Sequence, residues 1–413
     1  MKKLLVIQIL ILLLGCQTVD TPAGNIKTGL DNVADYMPLF SGKNVGIIAN
    51  HTAVNSEGEF ITDIFMDTDD VTVGALFGPE HGILGKAEAG ATIETEYDTT
   101  KQIPVYSLYG STRKPTPEML AGLDMLIFDI QDIGARYYTY IYTMALSLEA
   151  AAENGIPFVV LDRPNPINGT DVEGNVLDTA FASFVGLLPL PVRHGLTVGE
   201  LARMFNGEGW LEDGVRANLN VVPITNWKRT MWFDETGLNF IPPSPNMTNL
   251  TTATVYPGTC LLEGTNVSEG RGTSIPFLIF GAPWMDGKKV AEELNNLSLD
   301  GLSFRDTTFT PAEIPGVSEN PKHRGIECSG FVLKNIDRDI LQPYFAGISI
   351  VNTIHTLYPD SFGWRSAHFD RLCGTDQIRL RLTAGDPPSV IRDSWQSELT
   401  DFMKKREKYL LYE

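Results

Sequence analysis

The sequence predicts an α/β protein: a Rossmann-like parallel-sheet domain followed by a smaller mixed α/β domain. Three observations carry this. Short apolar runs alternate with helical patterns through roughly the first half. These runs are nearly continuous, as in strands buried on both faces. A proline-rich crossing, "NFIPPSPNMTNL" (239–250), then separates them from a stretch rich in glycine and threonine.

The elements follow in order. "NVGIIAN" (44–50), "VTVGALFG" (71–78), "IPVYSLYG" (103–110), "DMLIFDIQ" (124–131) and "IPFVVLDRP" (156–164) read as strands, with "ANLNVVPIT" (217–225) a sixth. "TYIYTMALSLEAAAENG" is a helix closed by Gly155, since a left-handed cap favours glycine. "LTVGELARMFNG" (196–207) is another, with Thr197 and Glu200 spaced for a capping box. Beyond the crossing, "CSGFVLKNI" reads as a strand, and "VAEELNNL" and "AGISIVNTIHTLY" as helices. The expected division is a domain at 25–240 and a second at 241–413.

The N-terminus reads as a targeting segment. A basic "MKK" precedes the apolar "LLVIQILILLLG", which is short for a membrane span. It ends in "LLGC", resembling a bacterial lipobox. The expectation is a signal peptide over 1–15, lipidation of Cys16 and a tether over 16–24. Gln17 favours the outer membrane, facing the periplasm, under the sorting rule of some Gram-negative bacteria. The net charge of −19 argues against nucleic acid and leaves the lipid as the membrane contact. Cys260, Cys328 and Cys373 are isolated, so neither a disulfide framework nor a zinc site is suggested.

Ligands of open parallel sheets bind at the carboxyl ends of the strands. Here those ends carry Asn50, then Glu80-His81, then Asp129, Gln131 and Arg136-Tyr137, then Asp162, Arg163 and Asn165. The second half adds "LLEGTNVSEGRGTS", with Glu263, Asn266, Glu269 and Arg271. Arg271 between two glycines is free to meet an anion with both arms of its fork. GxGxxG, GxSxG, phosphate-loop and HExxH patterns are missing, so no cofactor and no metal is expected. What remains is carboxylate chemistry. Glycoside hydrolysis needs an acid for the leaving oxygen and a second group to attack or to activate water. Glu80, fixed just past a buried strand, suits the first role, and His81 could orient it. Asp129, Asp162, Glu263 and Glu269 are candidates for the second.

At these residues a family pattern is visible. "ALFGPEHGILG", "PVYSLYGSTRKPTPEML", "FDIQDIGARYYTYIYTM", "VLDRPNPING", "PSPNM" and "EGTNVSEGRGT" resemble the bacterial exo-β-N-acetylmuramidases of glycoside hydrolase family 171, formerly a domain of unknown function. The resemblance runs from about residue 25 to the C-terminus. It implies an active-site cleft between a Rossmann-like domain and a smaller C-terminal one. It also implies release of N-acetylmuramic acid from the non-reducing ends of peptidoglycan fragments of the MurNAc-GlcNAc type. The family's catalytic glutamate is the one in "GPEHG", hence Glu80. Arg271, Arg136 and Arg163 are candidate partners for the sugar's lactyl carboxylate. The sugar's 2-acetamido group also opens a substrate-assisted route, with a carboxylate such as Asp129 only orienting it. The competing reading is a lipoprotein that binds a muropeptide or sugar without cleaving it.

Overall fold

The computed structural model describes residues 24–88, 90–91 and 94–413. The expected signal peptide, Cys16 and nearly all of the tether lie outside the described residues. The large sheet contains β1 (Lys43–Ala49), β2 (Val71–Gly78), β3 (Glu96–Asp98), β4 (Ile103–Ser107), β5 (Met125–Asp129), β6 (Phe158–Leu161) and β7 (Leu219–Val222). Its order is β3-β4-β2-β1-β5-β6-β7. Every pair is parallel except β3–β4. The chain steps outward from β1 to β2, then returns to the other side of β1 with β5. That reversal makes a crevice at the carboxyl ends of β1 and β5, where such sheets hold ligands.

Both faces are covered, as the continuous apolar strands require. Val45, Ile47, Val73 and Leu161 pack with Phe40 and Phe65 on one side. Phe77, Phe128 and Phe158 face the other, against the helix α1 (Tyr140–Glu153). The helix α2 (Val198–Glu208) begins at Thr197, where both halves of the expected capping box form, and ends at left-handed Gly209. The short edge strand β3, an exposed "EYD", carries no apolar pattern in the sequence.

The second sheet is antiparallel, in the order β8-β10-β9, with β8 (Ile279–Ala282), β9 (Ser303–Phe309) and β10 (Cys328–Lys334). Helices α3 (Leu250–Thr259), α4 (Gly287–Asn296), α5 (Pro343–Leu357) and α6 (Ser366–Cys373) surround it. α3 was not legible in "LTTATVYPGT", which is rich in β-formers and contains Pro257. Burial of its residues 252–259 overrides that propensity. One apolar cluster runs from Phe128 and Phe158 to Phe280 and Phe331, so the two sheets share a core.

α3 and α5 meet at two glycines. A β-carbon on Gly258 would stand 1.7 Å from the Pro343 carbonyl oxygen, and one on Gly347 would stand 2.3 Å from that of Gly258. Backbone meets backbone, so neither side has a flexible end to move. Gly258→Ala is therefore expected to destabilise the fold by about 2–3 kcal/mol, read as a lower urea midpoint at an unchanged slope. A wild-type midpoint in the variant would refute the packing argument.

Candidate active site

β2 ends at Gly78, and Pro79 turns the chain, with the Gly82 amide donating to the Pro79 carbonyl at 2.9 Å. His81, Gly82 and Gly85 all have left-handed backbone, at φ +70°, +72° and +65°. The loop folds back, and the Gly90 amide donates to Glu80 Oε1 at 2.9 Å. The Thr139 hydroxyl, at the N-terminal cap of α1, donates to Oε2 at 2.8 Å instead of capping its own helix. Glu80, half-buried, is thereby pinned between its own loop and the start of α1. The His51 ring clamps the loop from below. Its Nε2 lies 2.8 Å from the Pro242 oxygen, and a β-carbon on Gly85 would stand 1.9 Å from Nδ1.

His81 is buried, and its Nδ1 lies 2.6 Å from the Ala87 oxygen. Burial outweighs the nearby Glu80 charge and holds its pKa below the usual histidine value. The neutral ring donates from Nδ1, which leaves Nε2 as an acceptor. Tyr109, half-buried, turns its hydroxyl toward Glu80; burial and that charge push its pKa to about 12, so it stays a neutral donor.

The second half supplies the opposite wall. A 3-10 turn (Cys260–Gly264) carries Glu263, and Gly270 and Gly272, both left-handed, flank Arg271. Arg271 donates to Glu263 Oε1 from Nη2 at 2.7 Å and from Nε at 3.2 Å. Its Nε lies 3.5 Å from Glu269, which Lys322 also pairs at 2.9 Å. His368 Nε2 stands 3.7 Å from the other Glu263 oxygen. Burial alone would raise the Glu263 pKa, but Arg271 and His368 overcome it and hold the carboxyl at about 2. Glu80, His81, Tyr137, Glu263 and Arg271 line one cavity with Tyr138 and Phe277. One fixed acid and one carboxylate held well below the usual range thus face a common space from the two halves of the chain.

The remaining strand-end residues serve the fold, which corrects their assignment to this cavity. Asp129 is fully buried and doubly bonded by Arg163, one contact being Nη2–Oδ2 at 2.8 Å. It therefore cannot orient a substrate amide beside Glu80. Arg163 is occupied by that pair, and with Gln131 it borders a different crevice, beside Ser56 and Phe233. Arg136, fully buried, donates to the carbonyls of Asn175, Leu190, Leu372 and Cys373. Asp162 accepts from Thr197, the Gly199 amide and Tyr412, docking the C-terminal tail on the start of α2. Asn165 ties Leu196 and Ile167, and Asn266 ties Ser361 and Gly363. Asn50, fully buried, accepts from Thr52 and faces Tyr140. Glu269 reaches the site only through Arg271 and Lys322. Nothing in the local sequence of Tyr109, Thr139 and His368 separates them from ordinary loop and helix residues. Among the described residues Glu149, Glu153 and Glu212 could gather a cation, but Lys114 already supplies one, at 2.7 and 2.6 Å from the first two.

A doubly covered parallel sheet, joined by a shared core to a second sheet, with paired carboxylates between them, defines a two-part α/β protein built like a glycoside hydrolase. Residues 45–251 match the family model described as exo-beta-N-acetylmuramidase NamZ, N-terminal, and residues 254–412 match its C-terminal counterpart. The chain belongs to this family. It is 47% identical over 398 residues to the peptidoglycan beta-N-acetylmuramidase NamZ of Bacillus subtilis, covering 96% of this chain and 93% of that one. Two crystal structures of DUF1343 family proteins from Bacteroides fragilis share the fold. One has a TM-score of 0.86 at 38% identity, the other 0.79 at 33%; each comparison covers 94% of this chain and 99% of the other.

The Glu263–Arg271 pair sets a pH dependence. A carboxyl held below its usual 4.5 contributes stability in full above that value and loses it as pH falls toward about 2. Arg271→Met leaves a half-buried carboxylate without its main partner and is expected to cost about 2 kcal/mol at pH 7. Wild type should lose stability between pH 4.5 and 2.5 with a slope that Arg271→Met lacks. Parallel slopes in the two proteins would contradict the pairing.

Proposed function

We propose that this protein is an exo-acting β-N-acetylmuramidase that releases N-acetylmuramic acid from the non-reducing ends of peptidoglycan fragments, with Glu80 as general acid/base. The observation that carries the reading is the placement of Glu80 opposite Glu263 in one cavity, in a chain 47% identical to an enzyme of that name. Thr139 suits both stages of proton transfer. Its hydroxyl donates to the Glu80 carboxylate and, by rotating, accepts from the protonated acid. Glu80 gives its proton to the glycosidic oxygen as the bond to the anomeric carbon breaks, then withdraws one from the incoming water. Glu263, ionised throughout, faces the positive charge that develops on the sugar or holds the 2-acetamido N–H. It is excluded from the role of acid by the same pairing.

The cell-wall substrate fits a place outside the cytoplasm. The reading includes cleavage before Cys16 and its lipidation, which tethers the enzyme to the outer membrane on the periplasmic side. Cys16→Ser should move the protein from the membrane to the soluble fraction; unchanged membrane association would overturn the anchor.

Glu80→Gln should lower release from a chromogenic N-acetyl-β-muramide by about two to four orders of magnitude, with an unaltered melting temperature. Wild type that binds muramyl saccharides yet releases nothing would instead make the protein a binding lipoprotein.

A further inference from the structure

The three arginines that the strand ends and the second-half loop nominate are all committed within the protein. Arg136 is spent on four carbonyls, Arg163 on Asp129, and Arg271 on Glu263 and Glu269. A further cation nonetheless stands behind residues that adjoin the cavity lining. Arg113 follows β4 in the "YGSTRKP" loop and is exposed. Its guanidinium lies 4.2 Å from the centroid of the Phe184 ring and 5.4 Å from that of Tyr109. Val185, next to Phe184, lines the cavity, and the Tyr109 hydroxyl faces both Glu80 and Arg113. Among the described residues Arg113 forms no ion pair, whereas its neighbour Lys114 is held by Glu149 and Glu153. Two aromatic faces hold the guanidinium in place without neutralising it. Arg365, also exposed, donates to the Glu263 carbonyl on the opposite wall.

Resting on the function proposed above, we propose that Arg113 determines specificity by receiving the lactyl carboxylate of the N-acetylmuramic acid ring. The lactyl ether sits on carbon 3, and a single ring carbon separates that position from the anomeric carbon whose oxygen Glu80 protonates. The Tyr109 hydroxyl faces both Glu80 and Arg113, which puts the cation on the Glu80 side of the cavity. Arginine's fork meets a carboxylate with two parallel N–H donors, and its stacked plane loses little freedom on binding. A glucosamine ring, lacking the lactyl group, leaves that fork unused.

Two measurements on the full-length protein test this. Calorimetry compares N-acetylmuramic acid with its methyl ester, on wild type, Arg113→Met and Arg113→Lys. Kinetics compares the chromogenic β-muramide with its methyl ester on the same proteins. Wild type should prefer the acid by about ten- to a hundredfold in Kd and in KM. That ratio should collapse toward one in Arg113→Met and be partly kept in Arg113→Lys. A merely structural role would weaken acid and ester together. An unchanged acid-to-ester ratio in Arg113→Met overturns the assignment. If wild type cleaves neither substrate, the proposed activity fails by itself, and the calorimetric ratio still decides for or against Arg113.

Discussion

Arg136 is the interaction on which the arrangement of the two halves turns. A guanidinium is costly to bury unless its donors are met. Here, in full burial, Nη1 reaches the carbonyls of Asn175 and Leu190 and Nη2 those of Leu372 and Cys373. The first pair belongs to the first half of the chain and the second to the end of α6. Moving the halves apart would strand a buried charge. Tyr137, Tyr138 and Thr139 follow Arg136 directly, so the clamp also fixes the residues that line the cavity and hold Glu80.

The same residue type behaves oppositely across this molecule, and partner and depth of burial together decide which way. Asp162, buried, and Glu173, half-buried, sit among neutral donors: hydroxyls and an amide for Asp162, the amides of Tyr344 and Phe345 at the start of α5 for Glu173. Desolvation prevails, and both rise to about 7. Glu263 is also enclosed but faces Arg271, and it falls to about 2. At Glu263 a full opposite charge within hydrogen-bond distance outweighs desolvation, whereas at the fully buried Asp129 desolvation still raises the pKa despite the Arg163 pair. That contrast separates acids that dock helices and tails from the one that stays charged in the cavity.

Much of the fold could be read from the chain because its signals are local. Parallel strands buried on both faces must be apolar throughout, and a capping box is a four-residue pattern, so β1, β2, β5, β6 and the start of α2 stand out. β3 and α3 do not, since one lacks apolar residues and the other is helical only because it is enclosed. The site divides in the same way. Glu80 is legible because proline and glycines force its strand to turn at the ligand-binding edge. Asp129, Asp162, Arg136 and Arg163 lie at the same edge and look equally available. Their fates depend on partners that are 34 to 250 positions away, such as Asp129 for Arg163 and Tyr412 for Asp162. No spacing rule reports such pairs.

The charge balance explains why a free cation matters at this cavity. The chain carries −19, a field that repels an anionic saccharide at a distance. Within the site, Glu263 and Glu269 are matched by Arg271 and Lys322, so that cluster closes on itself with little charge to offer. Its function is to hold one carboxylate ionised. Attraction for an incoming carboxylate must come from a group outside the cluster, close enough to act within the screening length of salt water, about 8 Å. Arg113, held by Phe184 and by Tyr109, whose hydroxyl faces Glu80, stands outside that cluster. Separating the cation that binds from the cation that tunes keeps Glu263 charged whether the cavity is empty or full. An arginine asked to do both would release Glu263 each time a substrate carboxylate arrived.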